Sequence, residues 1–239
     1  MRERVRFVAG ALLLSALVVP VLAAGQDFFR RFFPQSLPAA TYDSHFAFTR
    51  IRYGARVGRG FGGWEHDYPT ADRNFSAILD YITNMRVHLV ENVIYMSEPG
   101  YWTTDEAEAA NLRAYLLKGG FIIFDDFDGD AEWRNMVAQM RLVLPEHTFI
   151  RLDVTHPIFQ SFYGLKTLNI PHPMLPGIEP VFLGLFDDNR PSGRMLAIAN
   201  WNNDIGDYWE WSAEGLYGDA PTNDAYRLGV NYLVYEMTH

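Results

Sequence analysis

Short apolar runs bounded by turn residues recur along the chain and predict β-strands. The clearest run spans residues 121–125 and follows the pair Gly119-Gly120. It is apolar on both faces, which is typical of a buried parallel strand. The same criteria predict further strands at residues 45–53, 86–90, 92–96, 148–152, 181–186 and 195–199.

Apolar residues spaced three and four positions apart predict amphipathic helices between these strands. The second helix opens with a capping box, in which Thr103 is the N-cap and Glu106 the N3 residue. Asp130 and Thr222 are the predicted N-caps of the last two helices. The predicted helices run from Thr70 or Asp72 to Thr83, from Thr103 to Gly119, from Asp130 to Leu144 and from Thr222 to Met237.

The order of these elements predicts a mixed α/β protein. Strand, helix and strand follow one another within about 30 residues, and such units are right-handed crossovers between parallel neighbours. We therefore expect a mostly parallel central sheet with helices on both faces. Strands 181–186 and 195–199 predict a C-terminal β-hairpin, and a final helix follows. Residues 45–239 then form one domain, and residues 26–44 are a leader or linker.

The N-terminal residues have the pattern of a secretory signal peptide. Arg2, Arg4 and Arg6 precede an uncharged apolar run at 7–21, and small residues follow at 23–25. We expect cleavage near residue 25 and a periplasmic or secreted protein. The alternative is an uncleaved anchor, because the apolar run is close to the lower length limit for a membrane span. In that case this segment is the chain's only contact with the membrane.

Composition narrows the function classes. The 239 residues carry a formal net charge of -9, which argues against general nucleic-acid binding because that requires a basic surface. The chain has no cysteine, so disulfides and thiol catalysis are excluded. Aromatic residues make up 15% of the chain, which suggests wide aromatic packing or a ligand surface.

Several stretches resemble a bacterial family known as domain of unknown function 4159. The most specific are residues 64–75 (WEHDYPTADRNF) and 112–126 (LRAYLLKGGFIIFDD). Others are residues 48–53, 156–159, 193–194, 203–207 and 227–232. The resemblance implies a class I glutamine amidotransferase-like fold, also similar to trehalose-utilisation-type proteins, but no activity. The turn Ser97-Glu98-Pro99-Gly100 stands where such families often have a polar Gly-His turn.

Asp125 and Asp126 are the candidate catalytic residues. They end a buried strand, and ligands of open parallel sheets bind beyond the carboxyl ends of the strands. The resemblance implies that Asp125 stands where amidotransferase-like folds place a cysteine nucleophile. An aspartate there could act as a general base, a metal ligand or a nucleophile. The alternative is that the pair accepts hydrogen bonds from loop amides and stabilises a helix N-terminus.

Ligand-binding candidates lie in two polar-aromatic segments. Residues 201–211 (WNNDIGDYWEW) combine Asn203, Asp204 and Asp207 with exposed aromatic rings, a set that suits a sugar or another polyol. A packed loop closed by its own Asx turns is the equal alternative. The second segment contributes Trp64, His66, Asp67 and Tyr68, which are placed here by the family-like block.

Two weaker patterns involve histidine and arginine. His156 precedes Pro157 as in the family pattern, and it could join Asp125 or Asp126 in a metal site or simply lock its loop. Arg50, Arg52, Arg56 and Arg59 form a basic cluster, which we interpret as solvated charge on a glycine-rich loop. The sequence identifies no cofactor and leaves the metal requirement open.

Two functions are compatible with these patterns. The first is a non-catalytic binding or assembly module of the cell envelope, which the missing cysteine favours. The second is a metal-assisted or carboxylate-dependent hydrolase that acts on carbohydrate or an envelope polymer. Expected partners are envelope proteins or carbohydrates and not nucleic acid. The sequence does not decide whether the protein is an enzyme.

The signal-peptide hypothesis predicts the start of the mature chain. After expression of the full gene in a bacterium, we expect N-terminal sequencing and intact mass to locate the first residue between Ala24 and Gln26. A membrane-bound protein that keeps residues 1–25 would support the uncleaved anchor instead.

Overall fold

The computed structural model of the protein describes residues 48–55, 63–83 and 93–239, all of which belong to one unit spanning residues 40–239. The predicted signal peptide, the leader, the strand at 86–90 and Arg56 and Arg59 lie outside the described residues. Among the described residues, no helix has both the length and the apolar character that a membrane crossing requires.

Among the described residues, six strands form the central sheet of the protein. Its strands are β1 (Phe48–Arg50), β3 (Val93–Ser97), β5 (Phe121–Phe127), β6 (Phe149–Arg151), β7 (Val181–Phe186) and β8 (Met195–Trp201). Two further strands, β2 (Gly54–Ala55) and β4 (Trp102–Thr103), form a separate pair. The order in the main sheet is β1-β3-β5-β8-β7-β6. The first four of these are parallel, whereas β7 is antiparallel to β8 and β6. The prediction of a mostly parallel sheet is therefore confirmed.

Helices cover both faces of this sheet. They bury the side chains of β5, which is apolar on both sides. They are α1 (Thr70–Thr83), α2 (Glu106–Leu117), α3 (Gly129–Val143), α4 (Ile205–Glu210) and α5 (Asp219–Thr238). Phe121 and Ile123 pack in one core with residues of α1, α4 and α5. Ile122 and Phe124 pack in a second core with residues of α2 and α3. Each fully buried side chain of this size contributes about 1.5–3 kcal/mol to folding.

The strands predicted as a C-terminal hairpin, β7 and β8, are antiparallel neighbours inside the main sheet. On its other side, β8 pairs in parallel with β5. These two strands therefore extend the central sheet, and β8 lies in its middle. This position brings the residues that follow β8 next to the end of β5.

Three predicted helix caps are wrong. The capping box at α2 is formed by Asp105 and Glu108, because Thr103 is still paired in β4. Helix α3 begins at Gly129, before Asp130, since β5 extends to Phe127 and leaves no room for a longer loop. Helix α5 begins at Asp219, so Thr222 lies in its first turn.

The segment 201–211 also differs from the prediction of a loop with exposed aromatic rings. Residues 205–210 form α4, and Tyr208 and Trp209 are only 2% and 0% exposed. Trp209 stacks on Phe75 of α1 with ring centroids 4.2 Å apart. Tyr208 and Trp209 form core packing, whereas Trp211 is 39% exposed. The alternative of a packed, self-capped segment therefore describes residues 205–210.

Gly229 on α5 allows the close packing of this aromatic pair. A Cβ atom at residue 229 would lie 2.6 Å from a ring carbon of Phe75 and 2.7 Å from one of Trp209. Both rings are buried and stacked, so neither can move aside without disturbing the core. Only glycine fits at this position, because any side chain would overlap with the two rings.

We predict that Gly229→Val lowers the free energy of unfolding by about 2 kcal/mol or more, because it overpacks the core. Urea denaturation measures the change, and Ala220→Val at an exposed position of the same helix is the matched control. If both substitutions lowered the free energy of unfolding equally, the loss would be due to the lower helix propensity of valine, and the packing argument would be wrong.

Candidate functional site

The carboxylate of Asp125 is buried at the end of β5, where it fixes the start of α4. Its Oδ2 accepts hydrogen bonds from Tyr95 Oη at 2.7 Å and from the amides of Ile205 and Gly206, both at 2.9 Å. Its Oδ1 accepts one from Asn200 Nδ2 at 2.9 Å. Asp125 has no exposed surface, and this environment is that of a structural anchor.

A second layer extends this network into the core. The Oδ1 of Asn200 accepts a hydrogen bond from Tyr232 Oη at 2.7 Å, and both residues are fully buried. Burial raises the pKa of Asp125 to about 7, although the donors Tyr95 and Asn200 act in the opposite direction. Such a shift shows how much the buried site disfavours the charged carboxylate.

Asp126 points in the opposite direction and lies at the surface of the same strand end. Its backbone is in the left-handed region with φ 61°, and its amide donates to the carbonyl of Asn203 at 3.1 Å. Its Oδ2 accepts a hydrogen bond from Ser97 Oγ at 3.0 Å and lies 2.8 Å from His66 Nδ1. The side chain is 12% exposed. Asp126 is therefore the member of the aspartate pair that a ligand can reach.

His66 joins Asp126 to Asp67. Its Nδ1 lies 3.0 Å from Asp67 Oδ1, the imidazole is 39% exposed, and the Asp67 side chain is 0% exposed. The contact with Asp126, followed by that with Asp67, raises the pKa of His66 to about 12. The Nδ1 atom of His66 makes no regular hydrogen bond to either carboxylate, although both are close to it. The three side chains converge on one point.

The carboxylate of Asp67 is buried without hydrogen-bond donors among the described residues. Burial raises its pKa to about 7, while the neighbouring His66 acts to lower it. An unpaired buried carboxylate is costly, by several kcal/mol in proteins, unless a cation or a proton compensates it. The contact with His66 compensates Oδ1 of Asp67, whereas its buried Oδ2 has no hydrogen-bond donor among the described residues.

Arg50 of β1 holds the turn that carries His66 and Asp67. Its Nη1 donates to the carbonyls of Trp64, at 3.2 Å, and of His66. Its Nε and Nη2 donate to the two carboxylate oxygens of Asp72 on α1, at 3.3 and 2.8 Å. Only 4% of this side chain is exposed. The prediction of solvated charge is wrong for Arg50, which ties the turn to the sheet.

A second group of carboxylates lies beside Asp67. One oxygen from each of Asp67, Asp207 and Glu210 lies within 4.8 Å of the others. The Oδ2 of Asp207 accepts a hydrogen bond from Tyr217 Oη at 2.9 Å. Behind them, Asp204 caps α4 by accepting from the Asp207 amide at 2.9 Å. Burial, and then the charge of Asp126, raise the pKa of Asp204 well above its usual range.

Strained backbone concentrates around these carboxylates. Asp67, Glu98, Asp126 and Asn202 have φ values of 61°, 52°, 61° and 60°, and one further such residue, Asn189, lies in the turn between β7 and β8. Left-handed residues other than glycine cost on the order of 1–3 kcal/mol each and concentrate at functional sites. The fold therefore tolerates strain at the position where it presents its charged side chains.

Glu98 is a further carboxylate of the site and was not among the sequence candidates. It follows β3, and burial, then the charge of Asp126, raise its pKa to about 8. Ser97 was missed as well. The register pairs Ser97 with Asp125 across parallel strands, so aligning the ends of the two predicted strands could have revealed both residues.

The other predicted ligand residues separate into two groups. Trp64 and Tyr68 lie in the same turn as His66 and Asp67, with ring centroids 5.7 Å apart, and the guanidinium of Arg52 lies 5.2 Å from the Trp64 ring centre. Asn203 is buried, and its side chain accepts a hydrogen bond from the amide of the following residue. Its role in the structure is to hold the end of β8 against Asp126.

His156 lies elsewhere in the structure. Its Nε2 is 3.1 Å from the carbonyl oxygen of Pro191, and its ring packs against Phe186 and Tyr235. Phe186 pairs with Met195, at the opposite end of β8 from the carboxylates. The structure does not bring His156 together with Asp125 or Asp126, so the loop-locking alternative describes its contacts.

Fold and site together define the class: an α/β protein with a carboxylate–histidine cluster at the carboxyl ends of its parallel strands. The chain belongs to the family described as Domain of unknown function (DUF4159), whose model matches residues 47–237. The family resemblance of the sequence motifs is thereby confirmed. No curated protein matches the chain.

We predict different roles for the two neighbouring aspartates. In metal-free protein, Asp125→Ala should lower the free energy of unfolding by about 3 kcal/mol or more, because four buried donors lose their acceptor. Asp126→Ala removes partly exposed contacts and should cost about 1 kcal/mol. Urea denaturation of both variants tests this difference, and equal losses would contradict it.

Proposed function

We propose that the protein is an exported, metal-assisted hydrolase whose metal ion is held by His66, Asp67 and Asp126. The observation that carries this proposal is the convergence of Nδ1 of His66, Oδ1 of Asp67 and Oδ2 of Asp126, with Nδ1 2.8 and 3.0 Å from the two oxygens. Imidazole nitrogen with carboxylate oxygen is a common donor set for catalytic metals.

The separations of these atoms support the proposal. Metal bonds to such donors are about 2.0–2.2 Å long, so ligand atoms at right angles around one ion are about 3 Å apart. A metal ion would take the place of the Nδ1 proton between the same donors. The Ser97 hydroxyl, 3.0 Å from Asp126 Oδ2, supplies the kind of outer contact that orients a ligand carboxylate.

The uneven exposure of the three residues favours catalysis over a purely structural metal. Asp67 is closed off, whereas Asp126 and His66 are 12% and 39% exposed. A site that is open on one side leaves coordination positions for water and substrate, and a bound metal lowers the pKa of that water. Trp64 and Tyr68 are half-buried and flank His66 and Asp67 in the same turn. They favour carbohydrate or an envelope polymer as substrate, because aromatic rings stack on sugars.

We further propose that the scaffold is related to class I glutamine amidotransferases and that the protein is bacterial and acts in the cell envelope. The sequence resemblance and the parallel order β1-β3-β5-β8 support the first proposal. The N-terminal pattern at residues 1–25 supports export. In such a scaffold, the site lies at the strand ends that carry the nucleophile in the amidotransferases, and a metal-bound water would replace the missing cysteine.

Metal binding is the first test. We expect calorimetric titration of chelator-treated protein with Mn²⁺ or Zn²⁺ to show specific binding. Asp126→Asn should weaken the binding at least tenfold, because it removes a charged ligand. Asp130→Asn is the matched control, since that side chain is 80% exposed and lies outside the cluster. Absence of binding in the wild type, or equal weakening by both variants, would contradict the metal site.

Hydrolysis is the second test. A panel of chromogenic glycosides and acetyl esters, followed by purified envelope polysaccharide, should reveal turnover that a chelator abolishes and added metal restores. Asp126→Asn should reduce this turnover at least a hundredfold, with unchanged circular dichroism. Metal binding without turnover on any member of this panel would favour the non-catalytic binding module over the hydrolase.

A further inference from the structure

Asp67 belongs to two groups of metal-ligating side chains at once. One group is the set with His66 and Asp126, and the other is the set with Asp207 and Glu210 on α4. In each group, one ligand atom per residue lies within 4.8 Å of the others. A carboxylate shared in this way has the position of a bridging ligand between two neighbouring ions.

The two oxygens of Asp67 face different partners. Its Oδ1 lies 3.0 Å from His66 Nδ1, whereas its Oδ2 faces α4, where a Cβ atom at residue 206 would lie only 2.5 Å away. Glycine at residue 206 thus lets the carboxylate approach the helix that carries Asp207 and Glu210. Within the described part of the chain, Asp67 Oδ2 has no hydrogen-bond donor, and its atom is fully buried.

Among the described residues, the positive side chains whose charge acts on both Asp67 and Glu210 are His66 and Arg50, and both are already engaged. His66 contacts Asp67 and Asp126, and Arg50 pairs with Asp72 through two contacts. Asp207 accepts a hydrogen bond only from the neutral Tyr217 hydroxyl among its described side-chain partners. Three carboxylates therefore meet at a position where a divalent ion would neutralise them.

We infer that Asp67, Asp207 and Glu210 form a second divalent-cation site, and that Asp67 bridges it to the ion held by His66 and Asp126. This inference rests on the proposed function and extends it to a two-metal centre. The second site offers only carboxylate oxygens, which suit Mg²⁺, Mn²⁺ or Ca²⁺, whereas the first contains a histidine nitrogen and suits Zn²⁺ or Mn²⁺.

The two-metal arrangement also specifies what the centre does in hydrolysis. Ions about 3.5–4 Å apart stabilise both the attacking and the leaving oxygen of the substrate. The first ion has the more exposed ligands, Asp126 and His66, and would carry the attacking water. The second site includes the buried Asp207, and an ion there would hold the shared carboxylate of Asp67 in place.

Mn²⁺ is the probe that tests both sites, because it accepts nitrogen and oxygen ligands. For wild-type protein we expect two bound Mn²⁺ per chain by elemental analysis, and an electron paramagnetic resonance spectrum with the splitting of a spin-coupled pair. Glu210→Gln should retain one ion and lose the coupling. Asp126→Asn should also lose the coupling, through the first site. Glu146→Gln, at an exposed position, is the control and should retain both ions.

The outcomes separate the two proposals. One ion per wild-type chain, lost in Asp126→Asn and unaffected by Glu210→Gln, would overturn the second site and leave the proposed metal site intact. No bound Mn²⁺ or Zn²⁺ in the wild type would overturn both. Two ions without spin coupling would overturn the bridging role of Asp67. If Glu210→Gln fails to fold, the presence or absence of spin coupling in the wild-type spectrum still tests whether Asp67 bridges two ions.

Discussion

The buried carboxylate of Asp125 is the contact on which the site depends. It joins the end of β5 to Tyr95 of β3, to Asn200 of β8 and to the first amides of α4. Four donors around one acceptor compensate much of the cost of burying it. Because α4 begins on this carboxylate, Asp207 and Glu210 are held against the turn that carries Asp67. Without this anchor, Asp207 and Glu210 on α4 would have no fixed relation to Asp67.

Adjacent aspartates in the sequence thus have opposite roles. The pairing of β5 with β8 shifts register between Phe124 and Phe127, and Asp126 takes up a left-handed backbone. The shift turns one carboxylate into the core and the next towards His66. The strain at Asp126 recurs at Asp67, and both residues are tolerant of this conformation because their side chains are short and polar. The left-handed backbone at these two residues lowers the stability of the fold and places their charged side chains next to His66.

The sequence predicted the strands and helices well where apolar periodicity was strong, as in residues 121–125 and the helix ending at Thr83. It failed at helix starts. Thr103, Asp130 and Thr222 have the chemistry of caps but lie two, two and four residues from the observed N-caps, Asp105, Asp128 and Gly218. The prediction also failed for residues 201–211. Their polar composition indicated an exposed loop, but two of their aromatic rings are fully packed in the core. Local chemistry cannot report which residues an adjacent strand or helix will cover.

By itself, the sequence determined the α/β class, the helices on both faces and the acidic character of the strand ends, since these follow from local periodicity and composition. It also supplied most members of the cluster, including His66, Asp67 and Asp126. Only the tertiary structure decided their grouping. It removed His156, buried Asp125, and added Ser97 and Glu98 from the end of β3. The physical reason is that contacts across parallel strands depend on register and on crossover packing, which no local pattern encodes.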